Sequence, residues 1–245
     1  MEIRRSEKAG IHITSIKGQD LPIEAEKNVA GVAGLAILKA HNAQLGFEIR
    51  IEKNIKPGSG IGSSAASAAG TVAGINYLLG NPFTNKELIP FAMEGERLAC
   101  GSAHADNVAP ALLGGFTLVR DTNPLDICAL PTPLELVATV IHPKIEVKTA
   151  DARAVLKKRV TLEKAISQWG NVGALVSSLY EEDYDLLSRS LIDGIVEPTR
   201  AILIPHFSEL KAACKEAGAL GSGISGSGPS VFALSRGMPA ANTSS

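Results

Sequence analysis

The chain has 245 residues, of which 45% are hydrophobic, 20% charged and 4% aromatic, proportions that suit a globular protein with a real core and exclude a disordered or fibrous one. Lys+Arg 24 against Asp+Glu 25 leaves a formal charge of -1, and no basic stripe is interleaved with aromatics, so a broad nucleic-acid surface is excluded and an anionic ligand must be held locally. Cys100, Cys128 and Cys214 are odd in number and lack a CxxC pair, and no stretch reaches the roughly 18 apolar residues of a membrane span, so the expectation is a cytoplasmic protein, neither exported nor membrane-embedded.

Asn28 is a candidate N-cap for a helix over 29–40, where apolar residues recur at helical spacing, and Phe47 to Glu52 alternate apolar with charged in the manner of a half-buried strand. Lys56 to Ser64 reads as a Gly-rich loop that opens into a buried helix from Ala65 to Leu79. A helix over 84–99 carries a possible capping box, Thr84 with Glu87, and Pro90 is expected in or near its first turn. A strand over 115–120 comes next. The prolines at 124, 131 and 133 mark the expected junction near residue 125, dividing a domain over 1–125 from one over 126–245. Beyond it the patterns predict a strand over 135–141, helices over 150–159, 161–179, 183–194 and 206–217, and a strand over 230–235. Both halves are α/β or α+β, no solenoid repeat is visible, and MPAANTSS at the end has the character of a tail.

Glycines 58, 60 and 62 let the backbone take positive φ and approach a ligand, while Ser63 and Ser64 stand where a helix begins and its N–H groups are unpaired. Such a loop is an anion cradle that needs no lysine, although a plain turn before a core helix has the same letters. A Walker A loop is disfavoured because Ser63 stands where the lysine belongs. Gly60 to Ala65 satisfies the Rossmann GxGxxA, but the nearest acidic residue, Glu87, falls in a predicted helix rather than at a strand end. Gly221 to Gly226 also spells GxGxxG, yet it comes after a helix and leads into Pro229 and a strand; it reads as too polar for a core strand before Val231.

The run Pro57-Gly58-Ser59-Gly60-Ile61-Gly62-Ser63-Ser64-Ala65-Ala66 resembles the phosphate-binding motif of the GHMP small-molecule kinases. Within that superfamily, His104-Ala105-Asp106-Asn107 with Gly114-Gly115, and Gly223 to Ser230, resemble the homoserine kinases, and the resemblance spans roughly residues 10–237. It implies an α+β fold with a ribosomal-protein-S5-like N-terminal domain, which binds ATP, and a ferredoxin-like C-terminal domain. It also implies phosphoryl transfer from ATP to the side-chain hydroxyl of L-homoserine, for threonine synthesis, by a homodimer. Residues Pro57 to Ala65 would cradle the nucleotide, and Ser64 and Glu96 would contact Mg²⁺. A hydroxyl with one carboxylate suits that ion, and by residue type alone Glu94 rivals Glu96. The resemblance points to Arg153 and Arg200 for the substrate carboxylate, a natural task for guanidinium groups, and to His104, Asn107 and Gly226 for the rest of the acceptor. Asn107 would orient the reacting hydroxyl. Asp106 is the nearest carboxylate for a general base, but a loose transition state stabilised by Mg²⁺ and the loop requires little early proton removal, and the scheme without a base is preferred.

The family's N-terminal P-x-x-x-N-x-G-x-G-F-D segment and its last helix and strand find no match, so truncation at both ends is expected. Two other readings therefore stand beside the kinase: a non-catalytic nucleotide-binding remnant, and a GHMP kinase for another small hydroxyl acceptor.

Overall fold

The computed structural model describes residues 1–42, 44–101, 103–145, 147 and 149–237, without the side chains of Cys100, Thr149, Ala150 and Arg153. The chain forms two compact units, Met1–Pro57 with Gly62–Ala129, and Gly58–Ile61 with the chain from Leu130 onward.

The first unit contains β1 (Glu2–Ser6), β2 (Gly10–Lys17), α1 (Val29–His41), β3 (Gly46–Glu52), α2 (Ser63–Leu78), α3 (Asn85–Cys100), α4 (Val108–Leu113), β4 (Phe116–Thr122) and β5 (Leu125–Leu130). β3 lies between β1, antiparallel to it, and β2, parallel to it. The parallel pair requires a crossover, which α1 supplies. Alternation along β3 turns Phe47, Ile49 and Ile51 into the core, where they join Ile37 of α1, Val72 and Ile75 of α2, and Leu88 and Ile89 of α3. Small residues let these helices approach closely: Ala65, Ala68 and Ala69 of α2 are all buried. The Asn28 side chain caps α1 by accepting from the Ala30 N–H at 3.0 Å. The Thr84–Glu87 capping box is present and starts α3 at Asn85, so Pro90 falls in the second turn rather than the first. It sits on the exposed face, where water can reach the carbonyl its missing N–H leaves unpaired.

Four elements of this unit were not predicted from the sequence. β1 carries a single apolar residue, Ile3, and β2 alternates over a stretch broken by a register shift between Ile13 and Ser15. α4 is a short apolar helix hidden behind the polar segment before it. β5 occupies the Pro-flanked stretch expected to be a junction and pairs with β4, and the compact units divide at Ala129/Leu130.

The second unit contains β6 (Leu136–Ile141), α5 (Thr149–Ala154), α6 (Leu162–Glu181), α7 (Tyr184–Ser190), α8 (Glu197–Arg200), α9 (Phe207–Glu216), β7 (Gly221–Ile224) and β8 (Val231–Arg236). β8 is central and antiparallel to both neighbours. The run Gly221 to Ile224 is thus a strand, against expectation. Neighbouring side chains fill the space its glycines leave: Leu191 lies 2.7 Å from where a Gly221 Cβ would stand, and Glu197 Oε2 and the Phe232 ring lie 3.0 Å and 3.2 Å from that of Gly223. α5 and α7 end earlier than the apolar pattern suggests, and after α7 the Asp193 carboxylate accepts from the N–H groups of Ile195, Val196 and Glu197 to set up the unpredicted α8. Among the described residues no helix is long and apolar enough to cross a membrane. The predicted tail, 238–245, lies outside the described residues.

Candidate active site

Gly58, Gly60 and Gly62 all take positive φ, at 71°, 79° and 73°, a conformation that side-chain-bearing residues adopt at a cost. Gly62 is the N-cap of α2, and the first hydrogen bond of the helix runs from Ala66 N–H to the Gly62 carbonyl. The N–H groups of Ser63, Ser64 and Ala65 therefore belong to the turn that has no intrahelical acceptors and carries the positive end of the helix dipole. The Ser63 hydroxyl donates to the Ile55 carbonyl at 2.7 Å, which closes the base of the loop. Pro57 is exposed, Ser64 half-buried and Ala65 buried. Asn107, the exposed N-cap of α4, places its Oδ1 3.5 Å from the position of a Gly62 Cβ, so this side chain stands directly over the start of α2.

The two rival glutamates of α3 occupy different environments. Glu94 forms an exposed two-pronged pair with Arg97, both contacts at 3.2 Å. Glu96 is 5% exposed, and among the described residues its Oε1 has no hydrogen-bond partner. A buried carboxylate oxygen without a partner is costly unless something binds it, and this fits a metal contact. Among the described residues no cluster of three His, Cys, Asp or Glu could hold a metal by itself. One carboxylate with one hydroxyl, Ser64, matches instead an ion such as Mg²⁺, which takes its other ligands from water and phosphate. Lys53, absent from the sequence-based candidates, is buried nearby; burial lowers its pKa and the Glu96 charge opposes that shift. The signal was legible: the alternation of β3 turns position 53 inward, where a lysine is out of character.

Gly58–Ile61 makes its contacts with the second glycine motif, inside the second unit. The Ser59 carbonyl accepts from the Ser230 hydroxyl at 2.6 Å, and the Gly60 carbonyl from the Ser225 hydroxyl at 2.8 Å. A Cβ on Gly60 would lie 2.6 Å from the carbonyl oxygens of both Gly228 and Ser225, so the backbones meet where no side chain fits. Arg200 donates from Nε to the Ala152 carbonyl at 3.1 Å and from Nη1 to the Gly226 carbonyl at 2.8 Å, which ties α5 to the motif. Arg200 and Gly226, with Asp193, Glu197, Gln168 and Ser222, line a cavity of about 300 Å³. The predicted Arg153 lies on α5, and its side chain is outside the described residues. His104 is half-buried and Asp106 exposed in the segment between α3 and α4.

Residues 25–115 match the GHMP kinases N terminal domain and residues 162–243 the GHMP kinases C terminal domain. A homoserine kinase of Chlorobium phaeobacteroides (strain BS1) is 49% identical over 242 residues, covering 94% of this chain and 76% of that protein. The chain belongs to the homoserine kinases of the GHMP family. A second homoserine kinase, from Chloroherpeton thalassium, is 51% identical and is covered over 73% of its length. The crystal structure of homoserine kinase from Cytophaga hutchinsonii superposes with a TM-score of 0.95 at 54% identity, covering 98% of this chain and 77% of that one. The L. major mevalonate kinase, at 17% identity and a TM-score of 0.72, shares the fold. A two-domain α+β GHMP kinase fold is thus the architecture of this homoserine kinase family member.

Proposed function

We propose that this chain transfers a phosphoryl group from ATP to the side-chain hydroxyl of L-homoserine, giving O-phospho-L-homoserine for threonine synthesis. The observation that carries the kinase reading is the unpartnered, buried Glu96 Oε1 on α3, which packs against α2 with its open N-terminal turn. Phosphoryl transfer demands positioning and charge stabilisation rather than covalent help, and these parts supply both.

In this reading the N–H groups of Ser63, Ser64 and Ala65 receive phosphate oxygens, and Pro57 to Gly62 shape the approach. Ser64 and Glu96 hold Mg²⁺, which when bound neutralises phosphate charge. Asn107, over the start of α2, orients the acceptor hydroxyl, with His104 beside it in sequence. Arg153 and Arg200 receive the acceptor carboxylate; Arg200 is pre-oriented for such a task by its two carbonyl bonds. Gly226 offers a backbone without a side chain at the same cavity. No general base is assigned, since Asp106 is solvent-exposed and a loose transition state does not require one.

The choice of homoserine over another acceptor rests on the HADN segment, the two arginines and the identity to homoserine kinases. ADP release by the purified chain with Mg-ATP, with and without L-homoserine, tests it. Homoserine-dependent release is expected; release with mevalonate or a sugar instead would reassign the acceptor, and ATP binding without turnover would favour a nucleotide-binding remnant. A cytoplasmic setting and a homodimer belong to the same proposal. Cys128 and Cys214 are free thiols, as reducing conditions leave them. Leu162, Ile166, Trp169 and Tyr180 of α6 are each more than half exposed and offer apolar surface to a second copy; sedimentation of the chain against Trp169→Lys tests that contact.

A further inference from the structure

His142 is the first residue after β6, and the β6–β8 register, which pairs Ile141 with Val231, sets it level with Ser230 at the turn that enters β8. Ser230 is fully buried; His142 is exposed as a residue, yet its Nδ1 lies 3.0 Å from the Ser230 hydroxyl. That hydroxyl has one proton and a second neighbour, the Ser59 carbonyl oxygen at 2.6 Å. A carbonyl only accepts, so the hydroxyl proton is spent on Ser59, and the contact with His142 requires Nδ1 to carry a hydrogen and donate it. The neutral ring is therefore the Nδ1–H tautomer. The imidazolium has the same donor, so the contact does not depend on the ring's charge. Ser230 holds the Ser59 carbonyl a second time through its N–H at 3.3 Å. Among the described residues the buried Ser59 hydroxyl has no partner, so hydrogen bonding fixes this residue through its backbone.

We infer that His142 is a positioning residue of the nucleotide site: by donating Nδ1–H to Ser230 it turns that hydroxyl onto the Ser59 carbonyl and so fixes the Gly58–Ile61 arm of the phosphate loop. This rests on the reading of Pro57 to Ala65 as the ATP cradle. A hydroxyl that receives a hydrogen bond donates a stronger one, and the arm it holds leads through Gly62 into the open first turn of α2. A histidine that merely braced its own unit would lower stability without singling out one substrate; one that sets the loop weakens ATP and leaves L-homoserine unaffected.

The test is calorimetric titration of Mg-ATP, and separately of L-homoserine, into the full chain and the variants His142→Leu, His142→Asn, Ser230→Ala and His142→Leu/Ser230→Ala, with circular dichroism as the folding control and nitrogen-15 NMR of the histidine ring in mildly alkaline buffer. The ring is expected as the Nδ1–H tautomer and should lose that preference in Ser230→Ala. His142→Leu should weaken Mg-ATP about threefold, the size of one net hydrogen bond, and His142→Asn, whose amide keeps an N–H donor as far along the side chain as Nδ1, should regain most of it. The double variant should be no worse than Ser230→Ala, because the histidine acts through that hydroxyl. An Nε2–H tautomer, wild-type ATP affinity in folded His142→Leu, an equal loss in His142→Asn, or losses that multiply in the double variant would overturn the inference. Should His142→Leu not fold, the tautomer in Ser230→Ala decides: a ring released from Nδ1–H supports the inference and an unchanged ring refutes it. ATP binding without turnover fails the kinase reading alone and leaves these outcomes standing, whereas a folded chain that binds no Mg-ATP fails the cradle reading and the role of His142 with it.

Discussion

Two stretches of this chain, Gly58 to Ala65 and Gly221 to Ser230, are both dominated by glycine and serine with a single isoleucine, and they do opposite things with their backbones. The first ends in α2, whose opening N–H groups have no acceptor in their own helix. The second runs from β7 through a turn into β8 and spends these donors on backbone carbonyls: Ser225 N–H bonds the Ser230 carbonyl, Gly228 N–H the Ser225 carbonyl, and Ser230 N–H the Ser59 carbonyl of the first stretch. One motif presents donors and the other holds it in place. A glycine run that opens into a helix can receive an anion, whereas one that opens into a strand spends the same donors on its neighbours.

The largest effect that would sharpen this contrast is expected from Gly60→Ala, because the added methyl meets two carbonyl oxygens at 2.6 Å and φ is +79°. ATP affinity should fall by about 10²-fold, on the order of 2–3 kcal/mol of strain and displacement, in a chain that still melts cooperatively. Near-normal affinity would mean that the second motif does not set the first. Ser64→Ala removes one hydroxyl from the cradle and leaves the N–H groups intact, so kcat/KM should drop by roughly tenfold with a raised Mg²⁺ requirement, the size of one charge-assisted contact. An unaltered Mg²⁺ titration would remove Ser64 from the metal set. Ser230→Ala acts on the holding motif: it leaves the Ser59 carbonyl without its 2.6 Å bond. It should lower stability by about 1–2 kcal/mol in a denaturant titration and change ATP affinity only a few-fold. The smallest effect belongs to Glu94→Gln, which breaks an exposed, solvent-screened pair with Arg97 and should leave both the denaturation midpoint and turnover unchanged. Loss of turnover there, in place of Glu96→Gln, would reverse the choice between the two carboxylates.

Local chemistry was readable wherever a side chain acts on its own neighbourhood. The Asn28 cap, the Thr84–Glu87 box, the alternation of β3 and the passage from glycine loop to helix α2 can be read from residue type and spacing, because caps and periodicity are short-range effects. The motif Pro57 to Ala66 further pointed to the kinase family. Readability failed where a pairing partner decides the outcome: β7 is a strand because β8 pairs with it while Leu191, Glu197 and Phe232 fill the space beside its glycines, and β5 is a strand because β4 pairs with it.

The site divides in the same way. The family resemblance pointed to Ser64, Asn107, both arginines and Glu96, while residue type by itself left Glu94 and Glu96 as equals, since composition cannot distinguish a solvated carboxylate from a buried one. Tertiary structure gives the two different surroundings, because burial and hydrogen bonding are properties of a place: Glu94 is paired with Arg97 at the surface, whereas Glu96 is buried, with one oxygen that no described residue bonds. A lysine in line with the inward face of a strand is conspicuous in the sequence, but which charge it faces and how far water is kept from it are decided only by folding.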